Sequence, residues 1–122
     1  MVVSITERAP SEKASVAAPT LALIKRAKDA EYGGAENGFD VFRRPINDHL
    51  WGVYWFKRDE SQYSMFVDYV DSNQFYAYNV TRSLRDTMKV TYSVQKVHMS
   101  EFEDIDARIV EKANSFIQGS EK

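Results

Sequence analysis

Leu50-Trp51-Gly52-Val53-Tyr54-Trp55-Phe56-Lys57 decides the fold class of this chain. Tryptophan, tyrosine, phenylalanine and valine suit pleated, packed backbone, so the stretch reads as a β-strand. Successive side chains of a strand point to opposite faces. Leu50, Tyr54 and Phe56 therefore share one face, and Trp51, Val53 and Trp55 the other. Both faces are apolar. Either something covers both, or one face awaits a partner.

Three more strands follow at short intervals. Arg58-Asp59-Glu60-Ser61 reads as a polar turn, Gln62 to Val70 as a second strand and Asp71-Ser72-Asn73 as another turn. Phe75 to Arg82 reads as the third strand. Ser83 to Asp86 connects it to the fourth, Met88 to Val97. Such short connections imply antiparallel neighbours, because parallel pairing needs a long crossover. The fourth strand alternates: Met88, Val90, Tyr92 and Val94 on one face, Lys89, Thr91, Ser93 and Gln95 on the other. That period marks one buried face and one wet face.

Helices flank the strands. Ser100 followed by Glu103 has the spacing of a capping box, and a helix is expected from Glu101 to Gln118. Phe102, Ile105, Ile109, Ala113, Phe116 and Ile117 form its apolar stripe. The acidic residues of its first turns suit the helix dipole. Upstream, Thr20 looks like an N-cap for a short helix over residues 21–32, with Gly33-Gly34 as its stop. Residues 33–49 read as a loop, with a short strand at Phe39-Asp40-Val41-Phe42. Residues 1–19 mix small, charged and proline residues without period and read as a flexible N-terminal arm on a single domain of residues 20–122. The expected fold is thus α+β: a four-stranded sequential antiparallel sheet, a C-terminal helix on one face and a short N-terminal helix.

Composition excludes several chemistries. The 122 residues contain no cysteine, which rules out disulfides, thiolate metal sites and a cysteine nucleophile. No phosphate-cradling glycine loop and no nucleophile elbow is present. Asp68, Asp71 and Asn73 resemble a calcium loop but lack its glycine and terminal glutamate. His49 and His98 are too few for a metal centre; with Asp48 they form the one weak acid–base candidate. No cofactor is expected. No apolar run is long enough to span a bilayer and no leader is apparent, so the expected setting is cytoplasmic, with no membrane partner. The net charge of −2 gives no basic surface for duplex nucleic acid.

What remains is aromatic. Most of the tryptophan, tyrosine and phenylalanine falls on the first three strands, more than one helix covers. Core packing and cross-strand pairing account for part of it. Two functions fit the remainder. The first is a non-catalytic protein-interaction module that binds a protein partner or a second copy through an aromatic sheet face and the N-terminal arm. Its anchors are Trp51, Trp55, Tyr76 and Tyr78, flanked by Arg58 and Arg82. The second is a single-stranded nucleic-acid binder that stacks bases on Trp55, Tyr76 or Tyr78, with Arg58, Arg82, Arg85 and Lys89 along the phosphates. The acidic pI of about 5.7 weighs against it.

Overall fold

A computed structural model describes residues 3–8, 10, 15–36, 38–59, 62–72, 77–84 and 88–120, of which 58, 59, 62–64 and 118–120 are described by their backbone. The elements run β1 (Val3–Glu7), α1 (Ala18–Arg26), β2 (Glu31–Glu36), β3 (Phe39–Pro45), β4 (Trp51–Asp59), β5 (Gln62–Asp71), β6 (Ala77–Leu84), β7 (Met88–Gln95), a 3-10 turn (Lys96–Glu101) and α2 (Phe102–Ser120). The strands form one seven-stranded sheet in the order β1-β7-β6-β5-β4-β3-β2, with every pairing antiparallel.

The four central strands pair sequentially as expected, but the sheet has three more, so the four-stranded expectation is corrected to seven within the same α+β class. One extra strand comes from the segment read as an arm: Val3–Glu7 lies along β7, with Ile5 opposite Val90. Val3-Ser4-Ile5-Thr6-Glu7 alternates with period 2, and Ile5 packs into the core. The other two are the hairpin β2–β3, where a helix end and a loop with a short strand at Phe39–Phe42 were expected; β3 contains that strand and runs on to Pro45. Helix propensity carries on through Tyr32, but pairing with β3 claims Glu31–Glu36, and α1 stops at Arg26. Gly33-Gly34 is therefore no helix stop. It sits at a bulge in β2, where Gly34 takes φ 95°, a conformation glycine adopts without strain. Thr20 is not the cap either: α1 begins at Ala18, and Pro19 fills its first turn, where a missing N–H costs nothing.

Register sorts the side chains onto two faces. Val41, Trp55, Val67, Val80 and Tyr92 lie opposite one another from β3 to β7 on one face. α2 covers this face. Its Ile105, Ile109, Val110, Ala113 and Ile117 pack with Met65, Val67, Val80, Leu84, Val90, Tyr92 and Val94. On the opposite face Phe42, Tyr54, Phe56 and Phe66 gather under α1, which contributes Leu21 and Ile24, with Ala17 from the turn before it. One helix on each face thus covers part of the two-sided apolar pattern of β4: Val53 and Phe56 are buried, and Trp55 is left half-buried. Further along the second face, Asn79, Thr81, Thr91, Ser93, Ser4 and Thr6 are polar and need no cover.

Three smaller expectations also shift. β7 ends at Gln95 rather than Val97, and Val97 is exposed in the 3-10 turn. Ser100 lies inside that turn, so α2 begins at Phe102 without the expected capping arrangement. Phe116, expected in the core, is 70% exposed, because the stripe facing the sheet at this end of α2 passes through Ala113 and Ile117. No helix among the described residues is long and apolar enough to cross a membrane. Phe56 is fully buried between its aromatic neighbours, so Phe56→Ala should cost about 3–5 kcal/mol through lost transfer energy and a residual cavity. Phe116→Ala should stay within about 0.5 kcal/mol. Urea unfolding of both variants checks the assignment.

Candidate binding cleft

The sheet is wider than the helix that covers its α2 face. Near β3 and β4 the start of α2 leaves a cleft of about 680 Å³. Phe39 and Val41 of β3 and Trp55 of β4 form its floor, and Met99 and Phe102 form the wall where the 3-10 turn enters α2. All five are half-buried. Glu36 at the end of β2, Ser100 and Glu101 of the turn, and Glu103 and Asp104 of α2 make an exposed rim. The volume lies within the range of about 300–1,000 Å³ typical of ligand sites, and an apolar floor with a few polar rim groups is their usual composition.

Period 2 puts Phe39, Val41, Val53 and Trp55 on the same face; Val53 is buried, while Phe39, Val41 and Trp55 stay half-buried beside the start of α2. Trp55 lies at the centre of an aromatic cluster. Its ring centroid is 6.0 Å from Phe39, 5.5 Å from Tyr69 and 5.3 Å from Tyr78. Tyr69 and Tyr78 meet edge to face at 4.8 Å. Burial pushes the hydroxyls of both above the ordinary tyrosine range, with the Asp71 carboxylate adding to the effect. At the cluster's outer end, the Arg43 guanidinium lies 4.9 Å from the centroid of Trp51 and pairs with Asp71 at 3.4 Å.

The residues singled out from the sequence separate into three groups. Trp51, Trp55 and Tyr78 share the α2 face, and only Trp55 lines the cleft. Arg82 is committed elsewhere. Its Nη1 donates to Asp106 Oδ2, its Nε donates to the Ser83 carbonyl at 3.1 Å, and the Tyr92 hydroxyl donates to Asp106 Oδ1. This arrangement ties α2 to β6 and β7 across the core. Tyr76 and Arg85 lie outside the described residues, as does the side chain of Arg58. Phe39, Val41, Met99 and Phe102 were not marked as site residues in the sequence. For Phe39 and Val41 the signal was their alternate placing in the short strand Phe39-Asp40-Val41-Phe42, which puts both on one face.

The two histidines do not form a unit. His49 sits in the β3–β4 turn, where its backbone N–H donates to Asn47 Oδ1 at 2.8 Å, and His98 Nδ1 lies 3.5 Å from Glu101 Oε2. The strand that follows His49 and the strand that precedes His98, β4 and β7, are three strand spacings apart, about 14 Å. The calcium-like residues do not converge either. Asp68 and Asp71 project to opposite faces, and Asn73 lies outside the described residues. Among the described residues no cluster of carboxylates and histidines could hold a metal ion. Comparison with protein-family models, with curated proteins and with solved structures returned no match.

The Arg82–Asp106–Tyr92 arrangement makes two measurements informative. Asp106 is 9% exposed, and Asp106→Ala should cost about 3 kcal/mol in urea unfolding by leaving the guanidinium and hydroxyl without their acceptor. Burial, then the hydrogen bond to Asp106, raise the Tyr92 hydroxyl far above its ordinary value of 10.0. A raised value favours the protonated form in the folded state, so this stability is present below pH 10 and lost as pH rises beyond it. Stability should fall by up to about 1.4 kcal/mol per pH unit for Tyr92 alone, and Tyr92→Phe should flatten that slope.

Proposed function

We propose that this chain is a non-catalytic protein-interaction module whose cleft between α2 and strands β2–β4 receives a segment of a partner protein. The observation that carries this reading is the floor of Phe39, Val41 and Trp55, half-buried and open to a cleft of about 680 Å³ that no segment among the described residues fills. Burying such side chains against a partner contributes about 25 cal/mol per Å² of apolar surface, and a deep aromatic anchor concentrates that gain. Trp51 and Tyr78 support the floor from the same sheet face rather than acting as anchors themselves. The free N-terminal arm drops out of the reading for Val3–Glu7, which are committed to β7.

Single-stranded nucleic acid fits this surface less well. Arg82, one of the cations invoked for phosphate contacts, is engaged by Asp106, and the cleft rim carries carboxylates that repel a phosphate backbone.

Selecting a random peptide-display library against the purified protein tests the proposal, with Val41→Trp as the counter-variant. Tryptophan suits a strand position and fills the cleft from its floor. Enriched peptides should lose about thirty-fold in affinity for the variant, equivalent to one anchor of about 2 kcal/mol, while its unfolding midpoint stays near that of the parent. Failure to enrich any peptide that distinguishes the two proteins would remove the cleft as a protein-binding site.

A further inference from the structure

We infer that the segment taken up by the cleft is basic, with an arginine or lysine next to a bulky apolar residue. This rests on the cleft being a protein-binding site and adds the chemistry of its occupant.

Charge and shape lead to this. Four carboxylates line the cleft, and neither lysine nor arginine is among its lining residues. They come from three elements: Glu36 from β2, Glu101 from the 3-10 turn, and Glu103 and Asp104 from α2. The two on α2 also suit the helix dipole. Glu36 has no such reason. It closes β2 opposite Phe39, on the same face as the floor. Among the described residues, Glu36, Glu103 and Asp104 belong to none of the ion pairs, and Glu101 meets only His98. Lys57 lies opposite Phe39 but lines the neighbouring pocket rather than the cleft, so carboxylates from three elements leave the cleft itself negative, and low-dielectric walls strengthen its preference for a cation.

The floor suits the same ligand. A guanidinium or ammonium gains from the face of tryptophan or phenylalanine as well as from carboxylates. Trp55 and Phe39 lie beneath the acidic rim. The same sheet face already contains one such arrangement, with Arg43 over Trp51. The apolar stems of arginine and lysine, together with a neighbouring apolar residue, cover Val41 and Met99 while the charged head reaches the rim.

An extended segment has a way in. β2 is an edge strand, and Gly34, opposite Val41, presents no side chain between the cleft and the sheet edge. A methyl group at Gly34 would meet nothing within 4 Å. At Gly34, then, no side chain stands between the open edge and the floor, and Glu36 lies beside this position.

The display selection settles the occupant when the enriched pool is sequenced and its members are measured by fluorescence anisotropy at two salt concentrations. Arginine or lysine beside tryptophan, phenylalanine, leucine or methionine should dominate the peptides that Val41→Trp rejects. Their affinity should fall with salt, and by about ten-fold in the combined variant Glu36→Gln, Glu103→Gln, Asp104→Asn. Urea unfolding of that variant confirms an intact fold. Cleft-dependent peptides that are neutral or acidic, or indifferent to the combined variant, overturn the charge inference and leave the protein-binding reading standing. Peptides indifferent to Val41→Trp, or no enrichment at all, overturn both.

Discussion

A strand that is apolar on both faces has to be buried on both, and β4 is such a strand. Trp55 and Val53 point to one side and Tyr54 and Phe56 to the other, so a single helix packed on the sheet cannot satisfy them. The chain provides α1 on one face and α2 on the other. A helix is about 10 Å wide, whereas seven strands at about 4.8 Å spacing extend across about 29 Å. Each helix therefore covers a portion of its face. Where the uncovered portion is polar, as along Thr81 and Thr91, nothing follows. Where it is apolar, around Phe39, Val41 and Trp55, a cleft remains.

The position of α2 sets the shape of that cleft, and buried polar groups help to hold the helix in place. Hydrophobic burial alone is non-directional and tolerates sliding. Asp106 accepts hydrogen bonds from Arg82 on β6 and Tyr92 on β7, which ties one point of the helix to two adjacent strands. Leaving this contact would strand a carboxylate and a guanidinium in a site of low dielectric. On the other face, the Tyr32 hydroxyl donates to the buried Asp40 at 3.1 Å, joining the edge strand β2 to β3. The same economy of partners explains why an arginine marked from the sequence as a surface contact is an internal tie.

The strands and α2 could be read from the sequence because their signals are local. Alternation in Met88–Val94 and the helical stripe from Phe102 to Ile117 depend only on how backbone geometry spaces side chains. The edge strands were harder for opposite reasons. Val3–Glu7 has the right alternation, but five residues do not stand out beside a proline- and alanine-rich stretch. Glu31–Glu36 has almost no strand propensity; its glycines and glutamates become a strand only because β3 offers a row of hydrogen-bonding partners.

The sequence by itself determined the α+β class, the antiparallel central strands, the C-terminal helix and the need to cover both faces of Leu50–Lys57, since each follows from residue type and short-range periodicity. Of the cleft it showed one member, Trp55. Glu36 and Phe39, on the β2–β3 hairpin, lie far along the chain from Met99 and Glu103, and the two pairs become neighbours only through strand order and the path of α2. Tertiary structure likewise decided that Arg82 faces Asp106, and that Phe116 faces water while Ala113 faces the core. Residue type determines which side chains must leave water; which surfaces are left over depends on how wide a sheet forms and where its helices come to rest.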